Sequence, residues 1–593
     1  ASRPNPTAPF NLAQIIVPVG GRQERNEYSV YQLTLGAEGR VDSLDLSWSV
    51  YGSIGRTEQL QSAINYPSSA ALQRLANASD GGRSLCAGGY DFTRINTFSQ
   101  SCVEYVRRTA RNTTTLEQKV LEATLQGRLF TLPAGDIRFA LGADYRSNSY
   151  DYLPDALIQT GELANYLPIM PSNGEASVRE VFGELYVPLL VDQPWAQDVS
   201  LNLGYRHSDY DTVGGVDTYR IDGTWQFNDV LALRGGYARA VRAPSVSDLY
   251  AASANGMAAL GAPGAIGSGD PCDVRGAYRS SSSPIAAQVR ALCLAQGIPG
   301  AVIDTFTNTV SRTPFTTVGN LNLEPEVSDT YSMGLVFRSP FQNPWLSNIT
   351  ASLDYYNISL DGAIGQVTNT VAVTQCFSQT VNPGFSNSNY YCGLISRDPS
   401  TGQAVNIGNP LLNLGGYSTS GIDFQSDWSL SLDDIGLSPA AGRISLGLVV
   451  SYLDTFRIQT LPTSPELEYA GTIGNTQIDF FATAHPEWKG SATAGWRVGP
   501  VQSALKWRYM GAMNNANNVG TGGVAAGVEA VSYFDLDVAW DVSETLQLRA
   551  GAVNLTDREP PVLNTSLIGL FRSDPYTYDM AGRRFYVSLK ARF

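Results

Sequence analysis

Apolar and polar residues alternate with a period of two along most of this chain, which puts one set of side chains on each face of a strand. Val199, Leu201, Leu203 and Tyr205 share one face, against Ser200, Asn202, Gly204 and Arg206 on the other. Tyr219, Ile221, Trp225 and Phe227 oppose Arg220, Asp222, Thr224 and Gln226, and Phe534, Leu536, Val538 and Trp540 oppose Asp535, Asp537 and Asp541. The pattern predicts about 17 strands. They begin near Tyr28, Leu44, Glu117, Ile137, Val178, Val199, Val216, Val230, Thr330, Ile349, Leu412, Ile444, Phe480, Val501, Val531, Leu546 and Tyr578. Alternation fits a soluble sandwich, whose apolar face is its core, as well as a membrane barrel, whose apolar face meets lipid.

The connections separate these two readings. Short turns are predicted at Gly36 to Asp42, Leu132 to Asp136, Val191 to Gln197, Asn228 to Asp229, Ser339 to Asn348, Asp433 to Arg443, Val498 to Pro500 and Asp541 to Thr545. Between them fall long connections at Arg56 to Thr115, Asp151 to Ala176, Ser245 to Glu326, Gly365 to Pro410, Leu461 to Ile478, Gly511 to Ala530 and Glu559 to Asp574, with Asp209 to Gly215 the one short member. Outer-membrane barrels join their strands by short periplasmic turns and long external loops, whereas a sandwich has no reason to alternate them. The expected fold class is therefore all-β, a transmembrane antiparallel β-barrel.

Composition agrees. The 593 residues are 43% hydrophobic and 16% charged, with 30 Tyr, 9 Trp and 57 Gly, as strands with aromatic girdles and tight turns require. No stretch of about 18 uncharged apolar residues occurs, so a chain that spans a membrane does so as a closed barrel rather than by helices. A net charge of −14 sets nucleic acid aside, because its binding needs a basic footprint. Of the 40 basic residues only Lys119, Lys489, Lys506 and Lys590 are lysines. The arginine excess reflects either base composition or forks that pair with wall carboxylates and anionic lipid headgroups.

The six cysteines fall in three local pairs, Cys86 with Cys102, Cys272 with Cys293 and Cys376 with Cys392, each inside one long connection. An even count in an exported protein implies disulfides, each contributing roughly 3 kcal/mol by limiting the unfolded loop. No Cys-x-x-Cys spacing occurs and His207 and His485 lie far from the cysteines, so no metal site, cofactor or catalytic cluster is expected, and no enzymatic activity. His485, before Pro486, reads as the first residue of a strand, and acids and arginines on strand faces read as lumen-wall ion pairs. In the last strand Phe585, Val587, Leu589, Ala591 and Phe593 share a face. Its aromatic end, Phe593, resembles the signal by which outer-membrane proteins are recognised for barrel assembly.

Local motifs add a family resemblance. "ARAVRAPSVSDLY" (Ala238 to Tyr250), "NLNLEPEVSDTYSMGLVF" (Asn320 to Phe337), "AGAVNLTDREPP" (Ala550 to Pro561) and "YDMAGRRFYVSLKARF" (Tyr578 to Phe593) resemble, in order, segments of TonB-dependent outer-membrane receptors. The resemblance covers the middle to the end of the chain; the first 200 or so residues fit by barrel pattern alone. It implies a 22-stranded barrel filled by an N-terminal plug, which imports a scarce, bulky nutrient into the periplasm with energy from the TonB–ExbB–ExbD complex. The implied partners are that complex, the barrel assembly machinery, outer-membrane lipids and a surface lipoprotein.

Residues 1–27 are expected to be an extracellular loop segment and residues 28–593 the barrel, about five strands short of 22 and without a plug. Ala1 is preceded by neither Met nor a signal region, so a processed terminus or a fragment is expected. Counting back from Phe593 in the periplasm puts Ala1 outside the cell, with the plug and first strands as a separate chain or fragment. The resemblance places ligands on outer-loop aromatics, here Tyr250, Tyr278, Phe306, Phe377, Phe385, Tyr390 and Tyr391, which can equally pack the loops. A siderophore, a cobalamin-like cofactor, an oligosaccharide or a peptide remain open as cargo. The resemblance disfavours haem, since haem-type relatives typically carry a histidine in the stretch that here runs from Ser245 to Gly319 and holds none. The alternatives are a passive porin and a secreted all-β adhesin.

Overall fold

The computed structural model describes the chain except for residues 1–15, 92–97, 262–268, 311, 463, 475–483, 521–522, 564–572 and 593. Its main sheet has eighteen members, of which one is the two-residue strand Leu467–Glu468 and the other seventeen form a wall. The first eight are β1 (Gln23–Val41), β2 (Leu46–Pro67), β3 (Arg107–Leu132), β4 (Gly135–Leu153), β5 (Ser172–Gln193), β6 (Ala196–Tyr210), β7 (Gly214–Gln226) and β8 (Leu231–Arg242). Five more follow: β9 (Glu326–Arg338), β10 (Ile349–Asp361), β11 (Gly416–Ser431), β12 (Arg443–Gln459) and β13 (Trp488–Val498). The last four are β14 (Val501–Met510), β15 (Val531–Asp541), β16 (Leu546–Val553) and β17 (Arg584–Ala591). Each pairs antiparallel with its neighbours in sequence, from β1 with β2 through to β16 with β17. Among the described residues no ladder joins β1 to β17, so these are the two edges of the wall.

The expected strands are present one for one, with shifted ends. β3 begins at Arg107 rather than Glu117, and β1 at Gln23, inside the segment expected to be loop. The start expected at Phe480 and the terminal Phe593 lie outside the described residues. Val19, just before β1, is buried with Leu75 and the Cys86–Cys102 disulfide of the connection 68–106, so the start of β1 sits on the rim of the long loops.

The two faces of the wall differ as the alternation requires. Ile54 is 52% exposed, Leu121 56%, Ile221 51% and Met333 58%, an apolar band stable only against lipid. The opposite face carries ion pairs: Arg146 and Arg206 with Glu180, Arg234 with Asp354, Arg508 with Asp535 and Arg549 with Asp537. Seven of the nine tryptophans, Trp48, Trp195, Trp225, Trp345, Trp428, Trp496 and Trp540, gather at the short-turn rim. There the indole N–H of Trp225 donates to the carbonyl of Trp195, that of Trp428 to Trp345 and that of Trp496 to Ala441, all within 3.0 Å. Amphipathic rings with a satisfied polar end suit the membrane–water boundary.

Candidate functional site

The other rim carries the long connections, and two of them, 243–325 between β8 and β9 and 362–415 between β10 and β11, fold together as a cap. Its neck is built from the first two motifs. Ser245 caps the short helix Val246–Tyr250 in a reciprocal capping box with Asp248. The Asp248 carboxylate also accepts from Arg242 Nη1 at 3.0 Å, and Arg242 pairs with Glu326 across the β8–β9 ladder. Glu326 Oε1 in turn accepts from the backbone N–H of Ile364 at 2.7 Å, joining the second loop to the first. Beside this neck the Tyr250 ring fills the space over Gly174 of β5, where a Cβ would lie 2.1 Å from it.

Above the neck the two loops share a sheet. The strand Thr313–Val318 pairs antiparallel with Ala254–Ala258 of its own loop and parallel with Ala404–Asn413 of the other. They also share a core, stapled by Cys272–Cys293 and Cys376–Cys392. Tyr278 and Phe377 meet edge to face across the loops at 6.3 Å. Arg397 reaches from the second loop to Asp270 of the first in a fully buried pair. All three expected disulfides are formed. Asp398 sits at a turn where hydrogen bonds from the Ser400 hydroxyl and the Thr401 and Ser400 N–H groups hold its carboxyl at about 2.

The seven loop aromatics divide by burial. Tyr278, Phe306, Phe377 and Phe385 are in the cap core, and Tyr391 is half-buried against it. Tyr250 is half-buried at the neck; Tyr390 is 52% exposed and forms an edge-to-face pair with Tyr391 at 5.5 Å. The structure thus brings Tyr390 and Tyr391 together on the surface of the cap, whereas the four buried rings hold the loops to each other. His485, the strand-start histidine, pairs through the short strand Ala484–His485 with Thr472–Ile473 and stacks on Phe456 at 4.2 Å. Its Nε2 is buried with no hydrogen-bond partner, and burial lowers its pKa to about 4.

A second feature on the same rim was not singled out from the sequence. On the polar face of β12 to β15 a concavity of about 320 Å³ is lined by Lys489, Lys506, Arg508, Ser491, Tyr533 and Thr577 among others. Strand parity could have found it, since Lys489, Lys506 and Arg508 all alternate with girdle aromatics such as Trp488 and Trp507. Among the described residues no group of three or more His, Cys, Asp or Glu could hold a metal ion.

A sequence profile described as "TonB dependent receptor-like, beta-barrel" matches residues 4–555. No curated protein matches the chain. Among solved structures, the siderophore receptor PirA from Acinetobacter baumannii is similar at 15% identity and a TM-score of 0.55, over 96% of this chain and 63% of that one. A variant of the ferric enterobactin receptor PfeA from Pseudomonas aeruginosa is similar at 15% identity and a TM-score of 0.57, over 95% and 62%. At such identities the likeness is one of fold, and the chain spans under two thirds of the length of those receptors.

Proposed function

Because this chain belongs to the TonB-dependent receptor β-barrel family, an outer-membrane family of receptors rather than enzymes, we propose that it is the wall and cap of an active importer. It takes a scarce, bulky nutrient at its extracellular loops and passes it to the periplasm with energy delivered by TonB, ExbB and ExbD through an N-terminal plug. The observation that carries this reading is the cap itself: two loops co-folded into one disulfide-stapled body over a polar-faced wall. A passive pore needs no such body. Tyr390, Tyr391 and Tyr250 are the aromatics of this reading's ligand-facing surface. PirA and PfeA are named for a siderophore and for ferric enterobactin, which makes a ferric siderophore the first cargo to test.

The edges β1 and β17 bear on how the barrel closes. Seventeen strands in an up-and-down meander leave both edge strands running the same way, and antiparallel closure needs an even total. We propose that five further strands, belonging with the plug to a part of the receptor outside residues 1–593, fill that seam. Mass spectrometry of the purified native receptor tests this, and a barrel holding no polypeptide beyond residues 1–593 would contradict it. Uptake of labelled ferric siderophores by cells with and without functional TonB tests the transport reading. Uptake that requires both this protein and TonB is expected; TonB-independent entry, with large conductance in planar bilayers, would establish a porin instead.

A further inference from the structure

Among the described residues, every ion pair of this chain is made by arginine or histidine and none by lysine. Lys489 on β13 and Lys506 on β14 are two such cations on the polar face, with no carboxylate in ion-pair contact. They sit in the concavity described above, which opens on the long-loop rim: Lys489 is next to the start of β13 and pairs in register with Met510, the last residue of β14. Arg508, opposite Ser491, is already forked onto Asp535 at 2.8 and 3.0 Å. Asp535 is also the register partner of Lys506, while Asp574 accepts from the Thr577 hydroxyl at the edge of the hollow. The rest of the lining mixes the hydroxyl-bearing Ser451, Ser491, Thr577, Tyr509 and Tyr533 with the apolar Val449, Gly490 and Met510. Three cations and several hydroxyls thus line a hollow in a chain whose net charge is −14.

We propose that this hollow seats an anionic ligand, a small molecule presenting several carboxylate or phosphate oxygens, held by Lys489 and Lys506. The proposal rests on the import reading and narrows its cargo to anions. Arg508, fixed by Asp535, supplies a rigid edge. The lysines, flexible point charges, adapt to the anion without demanding a planar, two-pronged partner. Neutral oligosaccharides gain nothing from such a site.

Calorimetric titration of the detergent-purified receptor at low salt tests it, with citrate as the carboxylate probe, pyrophosphate as the phosphate probe and maltose as the neutral control. Binding of citrate or pyrophosphate that weakens with added salt is expected, and none of maltose. Lys489→Gln with Lys506→Gln should weaken that binding by about tenfold, and the corresponding pair of Arg substitutions should restore it. Heat-modifiable gel mobility verifies that each variant is folded. Unchanged anion affinity in the Gln variant overturns the proposal, as does the absence of anion binding by the unaltered protein. Failure of the import reading shows separately, as TonB-independent entry, and leaves the titration untouched.

Discussion

The Arg397 guanidinium donates to both oxygens of Asp270, at 2.7 and 2.9 Å, and each side chain is 1% exposed. The two residues stand 127 positions apart and belong to different loops. Asp270→Ala leaves a buried guanidinium without its counter-charge and should cost the cap about 3–5 kcal/mol, whereas Asp270→Leu with Arg397→Met should cost far less. Trypsin cleavage of the cap against urea concentration measures this, with the barrel's heat-modifiable mobility unchanged in all variants. Equal cleavage midpoints for Asp270→Ala and the unaltered protein would show the pair to be incidental.

Phe377 and Tyr390 are both cap aromatics, but they should fail differently. Phe377→Ala empties a fully buried site and should destabilise the cap by about 3–5 kcal/mol. Tyr390→Ala removes a ring already 52% exposed, and should leave cleavage resistance intact while weakening cargo binding. A Tyr390→Ala protein with unaltered affinity for its cargo would remove that residue from the ligand surface.

Gly174→Ala should loosen the neck, because the new Cβ would occupy the place of the Tyr250 ring. Overpacking of this kind costs about 1–3 kcal/mol. Chymotryptic cleavage after Tyr250 should rise. Gly174→Ala made in a Tyr250→Ala background should have almost no further effect on cap stability, the non-additivity expected of two residues in contact. Additive losses would mean that Gly174 matters for some other reason.

His485 gives the connection between β12 and β13 a pH dependence. Burial holds its pKa at about 4 against 6.5 for an ordinary histidine, so the unfolded loop binds the proton more tightly than the folded one. Stability of this loop is fully present above about pH 6.5 and falls as the pH drops toward 4, with local opening rising by up to about tenfold per pH unit. Hydrogen exchange at Thr472, Ile473 and His485 checks this, and His485→Gln should flatten the profile. A pH-independent exchange rate in the unaltered protein would refute it.

Much of the wall was legible because the bilayer enforces strict alternation, and short turns mark where each strand reverses. Legibility ended where that constraint ends. From Arg107 to Glu117 the residues in register with the lipid-facing set, such as Thr109, Arg111, Thr113 and Thr115, are polar, as are Arg108, Asn112 and Thr114 on the other face. The outer set there meets water, and the inner set is covered by the connection after β4, with Ala110 and Asn112 buried against it, so the alternation that defines β3 lower down vanishes although the ladder continues. The cap was less legible still. Tyr278 and Phe377 find each other only after two separate loops fold, so nothing local to either distinguishes a core ring from a ligand-facing one. The cysteine pairs, closed within single loops, could be read directly.

The shared sheet of the cap has a mechanical consequence. A parallel ladder between Thr313–Val318 and Ala404–Asn413 means that neither loop can swing without dragging the other. Four strand ends, those of β8, β9, β10 and β11, are its only covalent mounts on the wall, and they are neighbours along one arc of the rim. Load on such a body passes to the wall along that arc, at Arg242 and Glu326, and to the connection after β4 through the Ala254–Ile169 bridge.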